Sequence, residues 1–399
     1  MMKAGTRLSA LAIVASIAVS PALAQKAPDP EWLKLNQQFQ DLVQAGKFDD
    51  ALPVAQHELE IAQRRNDATV GTSLSDIGDT LCAQGHLSEA QQYFRRAAAA
   101  TEKSLGQNHP NIAADLVKIG ALFLADGQTE QAEALFKRAQ TINDKAVGTS
   151  RIDVAAILGK MGGIYAGYSL LPQAERLYLR QLAVQEAALG PDHADLAVVL
   201  MKLADLYRSE SQFALAEPLY KRAMAIQEKT YGPDRPETAN TLNALATLYI
   251  AQKQYAIAEP LAKRALNILE KTVGPNDQGV AACLNNLSKI SRAQRDYAAA
   301  QIYVKRSLAI SEKNLGADNP EVASRLMELA ILYGTDGNFA QAEPLMTRAL
   351  AIYEKTLGPT HPNVAAALTN LAKVERALGH TSDADAADKR ANTILAMKQ

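Results

Sequence analysis

Seven glycines stand 42 residues apart in this chain, at Gly106, Gly148, Gly190, Gly232, Gly274, Gly316 and Gly358. A fixed interval of that size means that one structural unit recurs, so the architecture comes from stacking copies and not from assembling a unique core. The local sequences are Leu189-Gly190-Pro191-Asp192-His193, Tyr231-Gly232-Pro233-Asp234-Arg235-Pro236 and Leu357-Gly358-Pro359-Thr360-His361-Pro362. Each reads as a helix stop followed by a helix start: glycine supplies a left-handed terminating residue, and proline blocks continuation while fitting the first turn of the next helix. The expected fold is therefore all-α.

Composition agrees. Hydrophobic residues make up 48% of the chain and aromatics only 5%, which suits close-packed helices better than a sheet. In the unit that starts at Ala197, Leu200, Leu203, Ala204 and Tyr207 fall at i, i+3, i+4, i+7, and Ala216, Tyr220 and Ala223 fall at i, i+4, i+7. Each set is one stripe of a helix, and the two stripes bury each other. Prolines 218, 260 and 344 within Ala-Glu-Pro-Leu are expected in the opening turn of the second helix, where amide groups lack intrahelical partners.

These positions resemble the tetratricopeptide repeat, in which large, small and aromatic residues recur in the same order. The same pattern returns at Leu116, Ile119, Gly120, Phe123, Ala132 and Phe136, and at Leu326, Leu329, Ala330, Tyr333, Ala342 and Ala349. The usual repeat is about 34 residues. The longer interval, the Ala-Glu-Pro-Leu segment and Leu-Gly-x-x-His-Pro are similar to the kinesin-light-chain type. The resemblance covers residues 71–399 and implies a right-handed superhelical solenoid of antiparallel helix pairs, nine in all, with a capping pair at 31–70 after a spacer at 25–30.

Residues 1–24 differ from the rest. Lys3 and Arg7 precede an apolar run from Leu8 to Val19, and Ala22-Leu23-Ala24 offers a cleavage site before Gln25. That is the pattern of a signal peptide, and its apolar run is shorter than the roughly 20 residues that span a bilayer. The mature chain is expected to be periplasmic or secreted, with no stable membrane insertion. With 42 basic and 43 acidic residues, nothing points to nucleic acid. Cys82 and Cys283 lie too far apart along a solenoid to be bridged and read as small buried hydrophobes.

Catalytic signatures fail on inspection. His57-Glu58-Leu59-Glu60-Ile61 has isoleucine where a zinc protease needs its second histidine. His109, His193 and His361 recur in the turns between units, where a helix-entry role is expected. Gly159-Lys160-Met161-Gly162-Gly163 has no preceding strand, so it reads as close packing and not as a phosphate loop. No enzyme, metal or cofactor is expected.

Function should lie on the face of each first helix turned away from its buried stripe. Counting −2, +1, +5 and +8 from the first leucine gives Ala114, Val117, Ala121, Leu124 and then Ala156, Gly159, Gly163, Ala166 in early units, a small and apolar surface. Later units supply Asn240 and Asn243, then Asn285, Asn286, Lys289 and Arg292, then Asn370, Lys373 and Arg376. Asparagine pairs with any peptide backbone, and the cations attract acidic groups. In the family resembled, such positions hold peptide ligands, so these nine residues are the expected peptide site of a protein-interaction scaffold. The alternative is binding of an envelope polymer or carbohydrate, but the tyrosines it needs as platforms (Tyr165, Tyr207, Tyr249, Tyr333) fall in the buried stripe.

Overall fold

The computed structural model describes residues 27–145 and 151–396. The expected signal peptide, Gln25 and Gly148 lie outside the described residues. Among those described there are eighteen helices and no strand. They fall into two units that meet between Val199 and Leu200.

The amino-terminal unit holds α1 (Pro30–Gln44), α2 (Phe48–Arg65), α3 (Thr69–Ala83), α4 (Leu87–Leu105), α5 (Pro110–Ala125), α6 (Thr129–Lys145), α7 (Arg151–Gly167) and α8 (Leu171–Leu189). Each odd-numbered helix packs on the even one after it. Glycine in the first helix makes room for an aromatic ring from the second: a Cβ on Gly120 would lie 2.6 Å from the Phe136 ring, and one on Gly78 2.5 Å from that of Phe94. Neither position can carry a side chain without displacing the ring. At the amino end, Trp32 is buried against Ile61 and Ala62 and donates from Nε1 to Ser73 Oγ at 2.9 Å. Cys82 and Cys283 are both free and buried, as expected.

α9 (Leu196–Ser209) runs across the boundary. The carboxy-terminal unit continues with α10 (Phe213–Tyr231), α11 (Pro236–Ala251), α12 (Tyr255–Thr272), α13 (Gln278–Ala293), α14 (Tyr297–Leu315), α15 (Pro320–Thr335), α16 (Phe339–Leu357), α17 (Pro362–Leu378) and α18 (Thr381–Ala396). Alanines 216, 258 and 342 have no exposed surface, as helix crossings require. Successive second helices are also tied by ion pairs 36 residues apart: Arg264 to Glu228 at 3.0 Å, Arg306 to Glu270 at 2.6 Å and Arg348 to Glu312 at 2.7 Å. The same arginines reach the carbonyls of Pro233, Pro275 and Ala317 in the preceding turn. Exposed pairs of this kind contribute about 1 kcal/mol or less each.

Three local expectations need correction. The described glycines of the 42-residue series have positive φ, but where they cap helices ψ lies near 160°: Gly106 has φ 89° and ψ 164°. That region is essentially reserved for glycine and differs from the left-handed helical conformation. The positive-φ residues form a second series inside each pair, at Gly46, Gly85, Gly127, Ser169, Ser211, Lys253, Arg295, Gly337 and Gly379. Prolines 218, 260 and 344 are each the sixth residue of their helix, beyond the opening turn. The carbonyls they leave without an intrahelical donor belong to Ala214, Ala256 and Ala340, all exposed residues.

Candidate binding surface

The expected site residues lie on the first helices of the carboxy-terminal unit. On α11, Asn240 is exposed beside Gly279 of the next unit, and Asn243 is half-buried. On α13, Asn286 is buried and donates from Nδ2 to Asn243 Oδ1 at 2.8 Å and Thr247 Oγ1 at 2.9 Å. Asn243 and Asn286 thus form a bond between adjacent repeats of the same unit. Asn285 is 8% exposed, and its buried Oδ1 has no hydrogen-bond partner.

One turn further along α13, Lys289 is half-buried and Arg292 exposed. Facing them from α15 are Arg325 and Glu328, neither of which the sequence reading selected. Arg325 donates from Nε to Ser307 Oγ at 3.1 Å. Glu328 is 9% exposed, accepts from Ser288 Oγ at 3.2 Å, and is pushed above the usual carboxylate range by burial, against the pull of Lys289, Arg325 and Arg292. Burial holds Lys289 below the ordinary lysine value; Glu328 opposes that shift, while Arg325, Arg292 and Arg208 of α9 add to it. Three cations therefore crowd one buried carboxyl, and a fourth, Arg208, adds to the repulsion on Lys289. No carboxylate among the described residues comes within ion-pair distance of the Lys289 ammonium.

The third cluster sits differently. Asn370 is half-buried and Lys373 exposed on α17, but Arg376 bends onto α18, pairing with Asp385 at 3.0 Å and Asp388 at 2.6 Å. Arg208, two repeats before Arg292, is likewise held on its own pair, by Asp205 at 3.1 Å and the Tyr220 hydroxyl at 3.2 Å. Of the three equivalent arginines, Arg292 alone has no acid of its own unit to hold it among the described residues.

The apolar surface expected in the early units is corrected in part: Val117, Ala121, Leu124 and Gly159 are buried, whereas Ala114, Gly163 and Ala166 are half-buried and Ala156 is exposed. With about 100° per residue, +1 and +8 lie only a quarter-turn from the buried stripe, whereas +2 lies nearly opposite it. Position +2 holds Asn286 and Asn370, already among the expected residues, and also Asp76, Lys118, Lys160 and Glu328, which the counted offsets left out. The histidine expectation holds: His109 and His361 cap α5 and α17, their Nδ1 atoms accepting from Asn111 N at 3.3 Å and Asn363 N at 3.1 Å.

A family model described as the tetratricopeptide repeat matches seven stretches: 40–103, 69–145, 153–229, 196–271, 245–313, 279–355 and 321–395. The fold is similar to that of aspartyl phosphate phosphatase F from Bacillus subtilis, at 14% identity and a TM-score of 0.56, covering 94% of this chain and 96% of that one. A putative kinesin light chain of Podosopora anserina with nearly identical repeats matches at 26% identity and a TM-score of 0.45, over 52% of this chain and 98% of its own. BtubC from P. vanneervenii matches at 24% identity and a TM-score of 0.46, over 62% of this chain and 91% of its own. Among curated proteins no relative matches the chain.

Proposed function

The chain belongs to the tetratricopeptide repeat family, and we propose that it works as a non-enzymatic scaffold that holds an extended, acidic segment of a protein partner on the first-helix face of its carboxy-terminal unit. The observation that carries this reading is Lys289: a half-buried cation without an ion-pair partner, set among Arg292, Arg325 and Arg208. A desolvated cation with like charges around it is unfavourable unless an anion arrives. Family membership supports the choice of a polypeptide partner, since stacked repeats offer a long binding face.

The reading includes export. Its support is the charged, apolar and small-residue order of residues 1–24, and no described helix is long and apolar enough to cross a membrane. Intact mass of the envelope-fraction protein should begin at Gln25; retention of Met1 would contradict export by cleavage.

The binding claim is tested with labelled ten-residue peptides graded in acid content, each with a free or an amidated carboxyl end. Affinity should climb with the number of acidic residues. A set that binds without regard to charge would remove the basis of the proposal.

A further inference from the structure

The first-helix face of the amino-terminal unit carries a cluster of the opposite sign. On α3 and α5, Lys118 donates to Asp79 Oδ2 at 2.7 Å and Ser75 Oγ at 2.7 Å, and Ser75 donates to Asp115 Oδ1 at 2.8 Å. Those groups satisfy one another. Asp76 is less well provided: it is 8% exposed, and its carboxylate accepts only a long bond from Asn36 of α1, at 3.4 Å. Beneath it, Glu58 of α2 faces Asp76 with no exposed surface; neither oxygen is held by a hydrogen bond of good geometry, and its neighbouring donor is the same Asn36 amide that makes the long bond to Asp76.

Packing does not call for a glutamate at 58. The equivalent residues of the following second helices, Ala97 and Ala139, are fully buried alanines at helix crossings. An unpartnered buried carboxyl costs a few kcal/mol where alanine would cost nothing. Four carboxyl groups thus share two lysines, Lys118 and Lys160, and the better-placed lysine is spent on Asp79 and Ser75.

We propose that this cluster is a second binding site, which takes a positively charged organic nitrogen, an ammonium or guanidinium group, entering past the partly exposed Asp79 and seated between Asp76 and Glu58. Among the described residues no group of three or more acidic, histidine or cysteine side chains is arranged to hold a metal ion. Separate N–H donors on one nitrogen, by contrast, reach carboxylates that do not converge on a point.

Protons hold the place of that cation. Burial first, and the charge of Asp76 second, raise Glu58 to about 9 against the Asn36 amide, which lowers it. Burial, then Asp79, raise Asp76 to about 8 in spite of Lys118, with Asp115 adding to the rise. Burial carries Asp115 to about 7 against Lys118 and the Ser75 hydroxyl. Lys160 of α7 faces Asp79 and Asp115, and the thiol of Cys82 faces Asp79; Asn36 from α1 is neutral. A ligand cation therefore displaces protons on binding, and affinity increases with pH between about 7 and 9.

The test is titration calorimetry of the full mature chain with spermidine and with acetyl-trilysine amide, at pH 7 and 8.5, in two buffers of different ionisation heat. Binding with net proton release, several-fold tighter at pH 8.5, is expected for at least one probe. Trilysine binding alone assigns the nitrogen to a polypeptide side chain, and spermidine binding to a free polyamine; either supports the site. Affinity should drop at least tenfold in Glu58→Gln/Asp76→Asn and, separately, in Asp79→Asn, which is partly exposed and keeps the test valid should the buried pair fail to fold. Lys313→Ala, an exposed position in the other unit and outside both faces, should leave it unchanged. Absence of binding by both probes, or binding that persists in Asp79→Asn, overturns the proposal.

Discussion

The side-chain amide of Asn286 lies 2.8 Å from the Oδ1 of Asn243, so α13 is bonded to the helix one repeat before it through two residues of the same type. The Asn286 nitrogen also meets Thr247 Oγ1 at 2.9 Å, and all three groups are at least half-buried. Asn286→Ala should destabilise the carboxy-terminal unit by about 0.5–1.5 kcal/mol in urea denaturation. A double-mutant cycle with Asn243→Ala should show coupling of about 0.5 kcal/mol or more. Strict additivity would mean that the two side chains do not depend on each other.

Lys253 and Arg295 hold φ values of 61° and 66° at positions where other units have glycine. The left-handed conformation costs a residue with a Cβ about 1–2 kcal/mol, and glycine returns part of that through its greater freedom when unfolded. Lys253→Gly and Arg295→Gly should each raise stability by up to about 1 kcal/mol. Gly337→Ala should lower it by a similar amount. Thermal melts of the three variants check the signs.

Ala216 has no exposed surface where α9 and α10 cross. Ala216→Leu should overpack that crossing at a cost of about 1–3 kcal/mol. Because each repeat leans only on its neighbours, faster amide exchange should appear first in α10 and α11. Exchange that is unchanged throughout would show that the position tolerates bulk.

His109 caps α5 through an unprotonated Nδ1, and burial holds its pKa below the usual 6.5. The unfolded chain therefore binds the proton more readily. The cap's contribution is whole above about pH 6.5 and is lost as pH falls below it. His109→Asn keeps an acceptor that does not titrate. The stability difference between the two proteins should be flat above pH 7 and move in favour of the variant on acidification; a difference that stays constant to pH 5 would contradict the assignment.

How much of this could be read beforehand depends on what the periodicity constrains. Helix pairs, buried alanines and capping histidines follow from local spacing, and the sequence carries them directly. The second turn series escaped because Ser169, Ser211, Lys253 and Arg295 replace glycine there and the surrounding Schellman-type hydrogen bonds impose the conformation: Arg295 N bonds to Arg292 O at 3.1 Å and Asp296 N to Ser291 O at 2.9 Å. The polar face was located only in part. Lys289 and Arg292 were found by a helical count, but Glu328, Arg325 and the acidic cluster around Asp76 stand at offsets next to those counted. What each first-helix residue meets is decided by the neighbouring repeats, which a pattern within one helix does not describe. The divergence of Arg376 from Arg292 shows the same thing: Asp385 and Asp388 of α18 capture one of two equivalent arginines.

The central claim is that the cations on α13 receive an acidic partner segment. Fluorescence anisotropy of an acidic decapeptide, measured with the mature chain and with Lys289→Glu/Arg292→Glu across 50 to 300 mM salt, tests it most directly. The unaltered protein should bind with an affinity that falls as salt rises, and the charge-reversed variant should lose most of the binding and most of the salt dependence while keeping its helical content. Reversal of Lys313, outside this face, should do little. Equal losses from Lys313→Glu and from the α13 pair, or no loss from the α13 pair, would contradict the account.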